Sequence, residues 1–122
     1  MKKILVVDDE PAFVRLTTLH LESTGSYRVF TESKGSRVVA AAMACRPDLI
    51  FLDIMMPDML GSEVAAALHR EPSLRHIKVV FLTSMLKKGE EKRSGTNMVL
   101  AKPVNAAELV AIIEQELGES GR

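Results

Sequence analysis

The sequence predicts an α/β domain, with a mostly parallel sheet of five strands covered by helices on both faces. Three observations carry this expectation. Short runs rich in Val, Ile, Leu and Phe recur along the chain, and each ends at a polar residue or a turn. Uninterrupted apolar runs of this kind mark strands buried on both faces, as parallel strands are. Between them lie stretches with apolar residues at helical spacing, and that alternation predicts right-handed crossovers.

Lys3-Ile4-Leu5-Val6-Val7 is the first strand and runs into Asp8-Asp9-Glu10-Pro11. Pro11 suits the first turn of a helix, and acidic residues before it favour the helix N-terminus. The helix is expected over Pro11 to Ser23, with Phe13, Leu16 and Leu19 inward and Gly25 as its stop. Tyr27 to Thr31 reads as the second strand. Ser36 is a candidate cap for a helix through Val38, Val39, Ala42 and Met43, which Pro47 ends. Leu49-Ile50-Phe51-Leu52 is the third strand and stops at Asp53; Pro57 and Gly61 then turn the chain. Ser62 to Arg70 is a helix with Val64, Ala65 and Leu68 inward, closed by Pro72. Ile77 to Leu82 is the fourth strand, ending at Thr83-Ser84, and Met98 to Ala101 is the fifth, ending at Lys102-Pro103. Asn105, with Glu108 three residues on, forms a capping-box pattern. The helix it starts carries Ala106, Leu109, Val110, Ile113 and Leu117 at core spacing, and Ile112 reads as exposed. Residues 1–118 make one domain, and 119–122 read as a flexible tail.

Composition narrows the classes. The 122 residues are 47% hydrophobic, enough for a globular core without staples. Sixteen basic residues balance sixteen acidic ones, which leaves no basic footprint for nucleic acid and no polybasic membrane patch. Cys45 alone forms no internal disulfide and reads as a small core residue. No stretch approaches the roughly 18 apolar residues of a membrane span, and Met1-Lys2-Lys3 leads into no secretory signal. The expectation is a soluble, cytoplasmic protein. His20, His69 and His76 show no metal-ligand spacing, and the seven methionines read mostly as core filler.

The strand ends hold the chemistry. Asp8-Asp9, Asp53, Thr83 and Lys102 each follow an apolar run directly, so all project from one edge of the sheet. That C-terminal edge is where open α/β sheets bind ligands. Carboxylates crowded together repel one another unless a cation sits among them, and oxygen ligands suit Mg²⁺. With one ammonium and one hydroxyl beside them, the set points to phosphoryl transfer onto an aspartate: Asp53 as nucleophile, Mg²⁺ and Lys102 neutralising the phosphoryl oxygens.

On Asp8-Asp9, Asp53-Ile54-Met55-Met56-Pro57 with Gly61, Thr83-Ser84 and Lys102-Pro103, the chain resembles the receiver domain of two-component response regulators over essentially its whole length. The resemblance implies a flavodoxin-like doubly wound sheet of strand order 2-1-3-4-5 with five flanking helices. It implies that Asp53 accepts a phosphoryl group from a sensor histidine kinase, a phosphotransfer protein or a small phosphodonor. Asp9, Asp53 and the backbone carbonyl of Met55 then hold Mg²⁺, with Asp8 acting mainly through water. Lys102 pairs with the phosphoryl group, Thr83 moves to hydrogen-bond it, and the Lys102-Pro103 bond is cis. Such a domain is not an enzyme beyond its own phosphorylation and slow dephosphorylation. It signals to a protein target or to an output domain absent from this chain, without binding nucleic acid or membrane itself.

Two places depart from that pattern. The family usually carries Phe or Tyr three residues before the lysine, and here Val99 stands there. The segment from Met85 to Thr96, where a fourth helix is expected, holds two glycines and no apolar residue between Leu86 and Met98. Without an apolar stripe a helix has little packing energy, so a short, shifted or mobile fourth helix is expected, and a switch that orders a loop. Met55 and Met85, two residues beyond Asp53 and Thr83, offer nothing to orient a hydrolytic water, so modest autodephosphorylation is expected. Two other readings remain open: a pseudo-receiver that binds without phosphorylation, favoured only by Val99, and an Asp-nucleophile phosphohydrolase. Against the latter, the position two beyond Asp53 is Met55 and not a second acid.

Overall fold

A computed structural model describes residues 1–87, 90, 92–94, 97–102 and 104–118. The chain runs β1 (Lys2–Val7), α1 (Pro11–Ser23), β2 (Tyr27–Glu32), a 3₁₀ turn (Gly35–Arg37), α2 (Val38–Cys45), β3 (Leu49–Asp53), α3 (Gly61–Arg70), β4 (Lys78–Thr83), β5 (Lys92–Ser94), β6 (Asn97–Ala101) and α4 (Ala106–Leu117). The sheet order is β2-β1-β3-β4-β6-β5. Its first five members are parallel, which is the expected order 2-1-3-4-5 with β6 as the fifth parallel strand. β5 is an addition: three residues pairing antiparallel to β6 at the sheet edge.

Strand alternation divides the core into two layers. Leu5, Val7, Ile50, Leu52, Val79, Phe81 and Val99 pack under α2 and α3 on one face. Ile4, Val6, Leu49, Phe51, Val80, Leu82 and Leu100 pack under α1 and α4 on the other. Both faces are therefore covered, which is why the strands read as continuous apolar runs.

Several expectations need correction. The described residues form four α-helices rather than five: in place of the expected short, shifted or mobile fourth helix, those of segment 84–94 form a turn and then β5. Beyond Leu86, which packs against the core, no apolar residue precedes Met98 to seat on the sheet, and β5 is held by backbone pairing to β6. The expectations touching Lys88, Gly89, Glu91, Gly95, Thr96, Pro103 (with its cis bond) and the tail 119–122 lie outside the described residues.

In α1 the buried side chains are Thr17 and Leu21, with Phe13 and Val14 partly covered; Leu16 and Leu19 are exposed. Phe13, Thr17 and Leu21 recur every fourth residue and form the inward stripe, so Leu16 and Leu19 fall outside it. Ser36 is no helix cap: it lies inside the 3₁₀ turn, whose Gly35 and Ser36 amides donate to the Asp58 carboxylate at 3.0 Å each. Ile112 is buried beside Leu109 and Ile113. Of the methionines, Met56 is in the core, while Met1, Met43, Met55 and Met85 are exposed. The Asn105 capping box forms as expected, Asn105 Oδ1 accepting from the Glu108 amide at 2.8 Å and Glu108 Oε1 from the Asn105 amide at 2.9 Å.

Candidate phosphoacceptor site

The parallel register brings the strand ends into one row. β3 lies between β1 and β4, and β6 follows β4, so Asp8, Asp53, Thr83 and Lys102 emerge side by side. Lys102 N donates to Thr83 O at 2.8 Å and Ile54 N to Leu82 O at 3.0 Å, so the ladder holds right up to the site. The turn after Asp53 is tight. Gly61 N donates to Ile54 O at 2.7 Å, and a Cβ on Gly61 would meet Ile54 Cα at 2.9 Å and Asp53 O at 3.0 Å. Only a residue without a side chain fits this approach.

Lys102 is the hub. Its Nζ lies 2.7 Å from Asp8 Oδ2, 3.0 Å from Glu10 Oε1 and 3.7 Å from Asp53 Oδ2. The Phe13 ring lies beneath it, 5.0 Å from the ammonium to the ring centroid. Asp8 is wholly buried, Asp53 nearly so, and Asp9 is exposed. Asp8 Oδ1 accepts the Glu10 amide at 3.0 Å, and Asp53 Oδ1 the Met55 amide at 3.3 Å. Asp8 Oδ2 faces the ammonium closely but meets no donor in hydrogen-bonding alignment.

These surroundings set the charges. Burial, then the negative charge of Asp8, pushes the Asp53 carboxyl from 3.8 up to about 6, against the opposing pull of Lys102 and the Met55 amide. For Lys102, burial works against the ammonium, but the close carboxylates of Asp8 and Glu10 outweigh that and hold its pKa above the usual lysine value. Asp8, Asp9 and Asp53 each offer a carboxylate oxygen within 4.8 Å of the others. Crowded acids, a nucleophile with a raised pKa and a buried oxygen lacking an aligned donor are what a hard divalent cation would satisfy, and the donor set fits Mg²⁺.

The site opens into a cleft of about 610 Å³ walled by Asp9, Glu10, Phe13, Asp53, Met55, Ser84 and Lys102. Asp8 and Thr83 are buried beside it rather than on its wall. Thr83 Oγ1 accepts the Met85 amide at 3.0 Å. Met55 and Met85 are exposed near the strand ends, and Val99 is buried opposite Phe81 in the sheet.

Glu10 and Phe13 were not legible as site residues. Glu10 reads as a helix-start acid, yet its side chain caps nothing in α1 and turns to Lys102. The signal for it was its place directly after Asp8-Asp9 on the same edge. Phe13 sits in the helical stripe, and sequence alone does not separate a core ring from one beneath a lysine.

The family model of the response regulator receiver domain matches residues 4–114. The chain belongs to the response regulator receiver domain family. It is 30% identical over 122 residues to the polar-differentiation response regulator DivK of Brucella anthropi, covering 98% of each chain. Among solved structures, the chemotaxis protein CheY4 of Vibrio cholerae superposes with a TM-score of 0.81 at 28% identity, covering 94% of this chain and 98% of that one. The N-terminal domain of a response regulator receiver protein from Methanoculleus marisnigri JR1 gives 0.73 at 35% identity, covering 100% and 99%. This receiver domain is thus a signalling module of two-component systems. Among its described residues no helix is long and apolar enough to cross a membrane.

Proposed function

We propose that this receiver takes a phosphoryl group on Asp53. The observation that carries the reading is three carboxylates within 4.8 Å of one another beside a single ammonium, with the most buried acid, Asp8, holding that ammonium in place. An Asp53 carboxylate oxygen attacks phosphorus, and the bond from phosphorus to a kinase imidazole, or to the oxygen of a small acyl phosphate, breaks. The leaving group keeps the bonding pair. Lys102, only 3.7 Å from Asp53 Oδ2, is positioned to pair with the incoming phosphoryl oxygens. Asp9, Asp53 and the Met55 carbonyl would hold Mg²⁺, with Asp8 outside them, and the ion would supply charge neutralisation there. The partners are a sensor histidine kinase or phosphotransfer protein on one side and a protein target on the other, in the cytoplasm, with residues 1–118 as the domain.

The output starts at Thr83. Its hydroxyl holds the Met85 amide, so turning toward a phosphoryl oxygen releases the start of the segment leading to β5. Val99 has no ring to rotate, so the loop itself is the moving part. Incubation with Mg²⁺ and acetyl phosphate should add one phosphoryl group by intact mass, and Asp53→Asn should abolish it. A protein that stays unlabelled, or a label that persists in the variant, overturns the assignment.

A further inference from the structure

Among the described residues, every crossover between consecutive parallel strands carries a helix except the one from β4 to β6. The consequence lies on the face covered by α2 and α3. There Leu5, Val7, Ile50 and Leu52 are 0% exposed, but Val79 and Phe81 retain 8% and Val99 5%. No described helix packs on the β6 side of this face; Leu86, in the turn after β4, packs against its core instead.

A cleft of about 510 Å³ opens at that place, between α3 and the start of β6. Its floor is apolar, from Ala65, Leu68, Leu74, Ile77 and Val79. Its rim carries the positive charges of Arg75 and Lys78, with His69 and His76 beside them, and all four are exposed. Arg75 Nε donates to the His69 carbonyl at 2.8 Å, which fixes the guanidinium beside the opening. Among the described residues, none of these four pairs with a carboxylate and no acidic residue lines the cleft. In a chain whose charges balance, an unneutralised basic rim around an apolar floor is a local imbalance.

We propose that this groove docks one acidic amphipathic helix of a partner protein, seated where the β4-to-β6 crossover supplies none. The occupant lays an i, i+3, i+4, i+7 apolar stripe over Ala65, Ala66 and the exposed edge of Val79 and presents Asp and Glu to Arg75 and Lys78. Helical character follows from the missing layer, and acidic character from the rim. The groove is separate from the Asp53 cleft and shares no residue with it, so the proposal stands or falls independently of phosphorylation.

The test uses the full 122-residue chain against a displayed library of random amphipathic helices about five turns long. Enriched peptides should carry acidic residues opposite an apolar stripe and shift the amide signals of Leu68, Val79 and Asn97. Ala66→Trp, at an exposed position on the groove wall, should weaken them tenfold or more. The double variant R75E/K78E should do the same, and both should keep the wild-type melting temperature because the three residues are exposed. No enrichment, enriched peptides without acidic residues, or peptides that bind both variants as tightly as wild type would each overturn it.

Discussion

Asp53 is held in an environment that resists its charge. Its carboxyl titrates near 6 rather than 3.8, because burial and Asp8 both disfavour the anion. Below pH 3.8 the group is protonated folded and unfolded alike and contributes nothing. Between 3.8 and about 6 the unfolded chain loses the proton while the folded one keeps it, so stability falls as pH rises. Above 6 the full penalty, up to about 3 kcal/mol, is in place. Asp53→Asn should therefore be more stable than wild type at pH 7 in Mg²⁺-free buffer, by about 2–3 kcal/mol. That advantage should vanish by pH 4, as urea unfolding at the two pH values will show. Equal stability at pH 7 would mean that Lys102, 3.7 Å away, already compensates the charge. Asp53, Asp8, Asp9 and Lys102 were all legible because each ends an apolar run, and a strand end fixes where its next residue goes. Glu10 and Phe13 were not, because their roles depend on which way Lys102 bends back over α1.

Elements were legible where local rules and packing agree. The Asn105 capping box, the left-handed Gly25 and the continuous runs of β1, β3 and β4 all appear where sequence places them. The segment after β4 was harder: lack of an apolar stripe argues against a stable helix but does not say what replaces it. β5 is the answer, an edge strand three residues long whose described pairing is to β6 alone. Short edge strands open easily, so β5 should be among the less protected parts of the sheet. If release of Met85 by Thr83 starts the switch, hydrogen exchange over residues 84–94 should change on phosphoryl loading. Unchanged exchange there would remove the loop from the mechanism. The β3–α3 turn is the rigid counterpart. Gly61→Ala pushes a methyl into the backbone of Ile54 and Asp53, which cannot yield as a side chain tip does. Thermal melts should show a loss of about 1–3 kcal/mol. The same change should slow acetyl phosphate labelling, because Asp53 shifts with its own carbonyl; labelling at the wild-type rate would show that the turn gives elsewhere.

At the scale of the molecule, one topological fact made most of the site readable. In a parallel sheet every strand delivers its C-terminal end to the same edge, so residues 8, 53, 83 and 102 need no further information to meet. Charge was not readable in the same way. The chain balances overall, yet among the described residues the site gathers Asp8, Asp9, Glu10 and Asp53 around Lys102 alone, while the basic rim beside α3 faces no acid. The acidic excess stores repulsion that folding must overcome, and a divalent cation should relieve it. Mg²⁺ at a hundred times its dissociation constant should add about 2.7 kcal/mol. For a domain of this size that corresponds to a rise of about 10 °C in melting temperature relative to EDTA. Asp9→Asn should remove most of the rise, since Asp9 is the exposed acid facing the cleft. An undiminished rise in that variant would place the ion elsewhere. The effect should also shrink as pH falls below about 6, where Asp53 holds a proton in the place the cation needs.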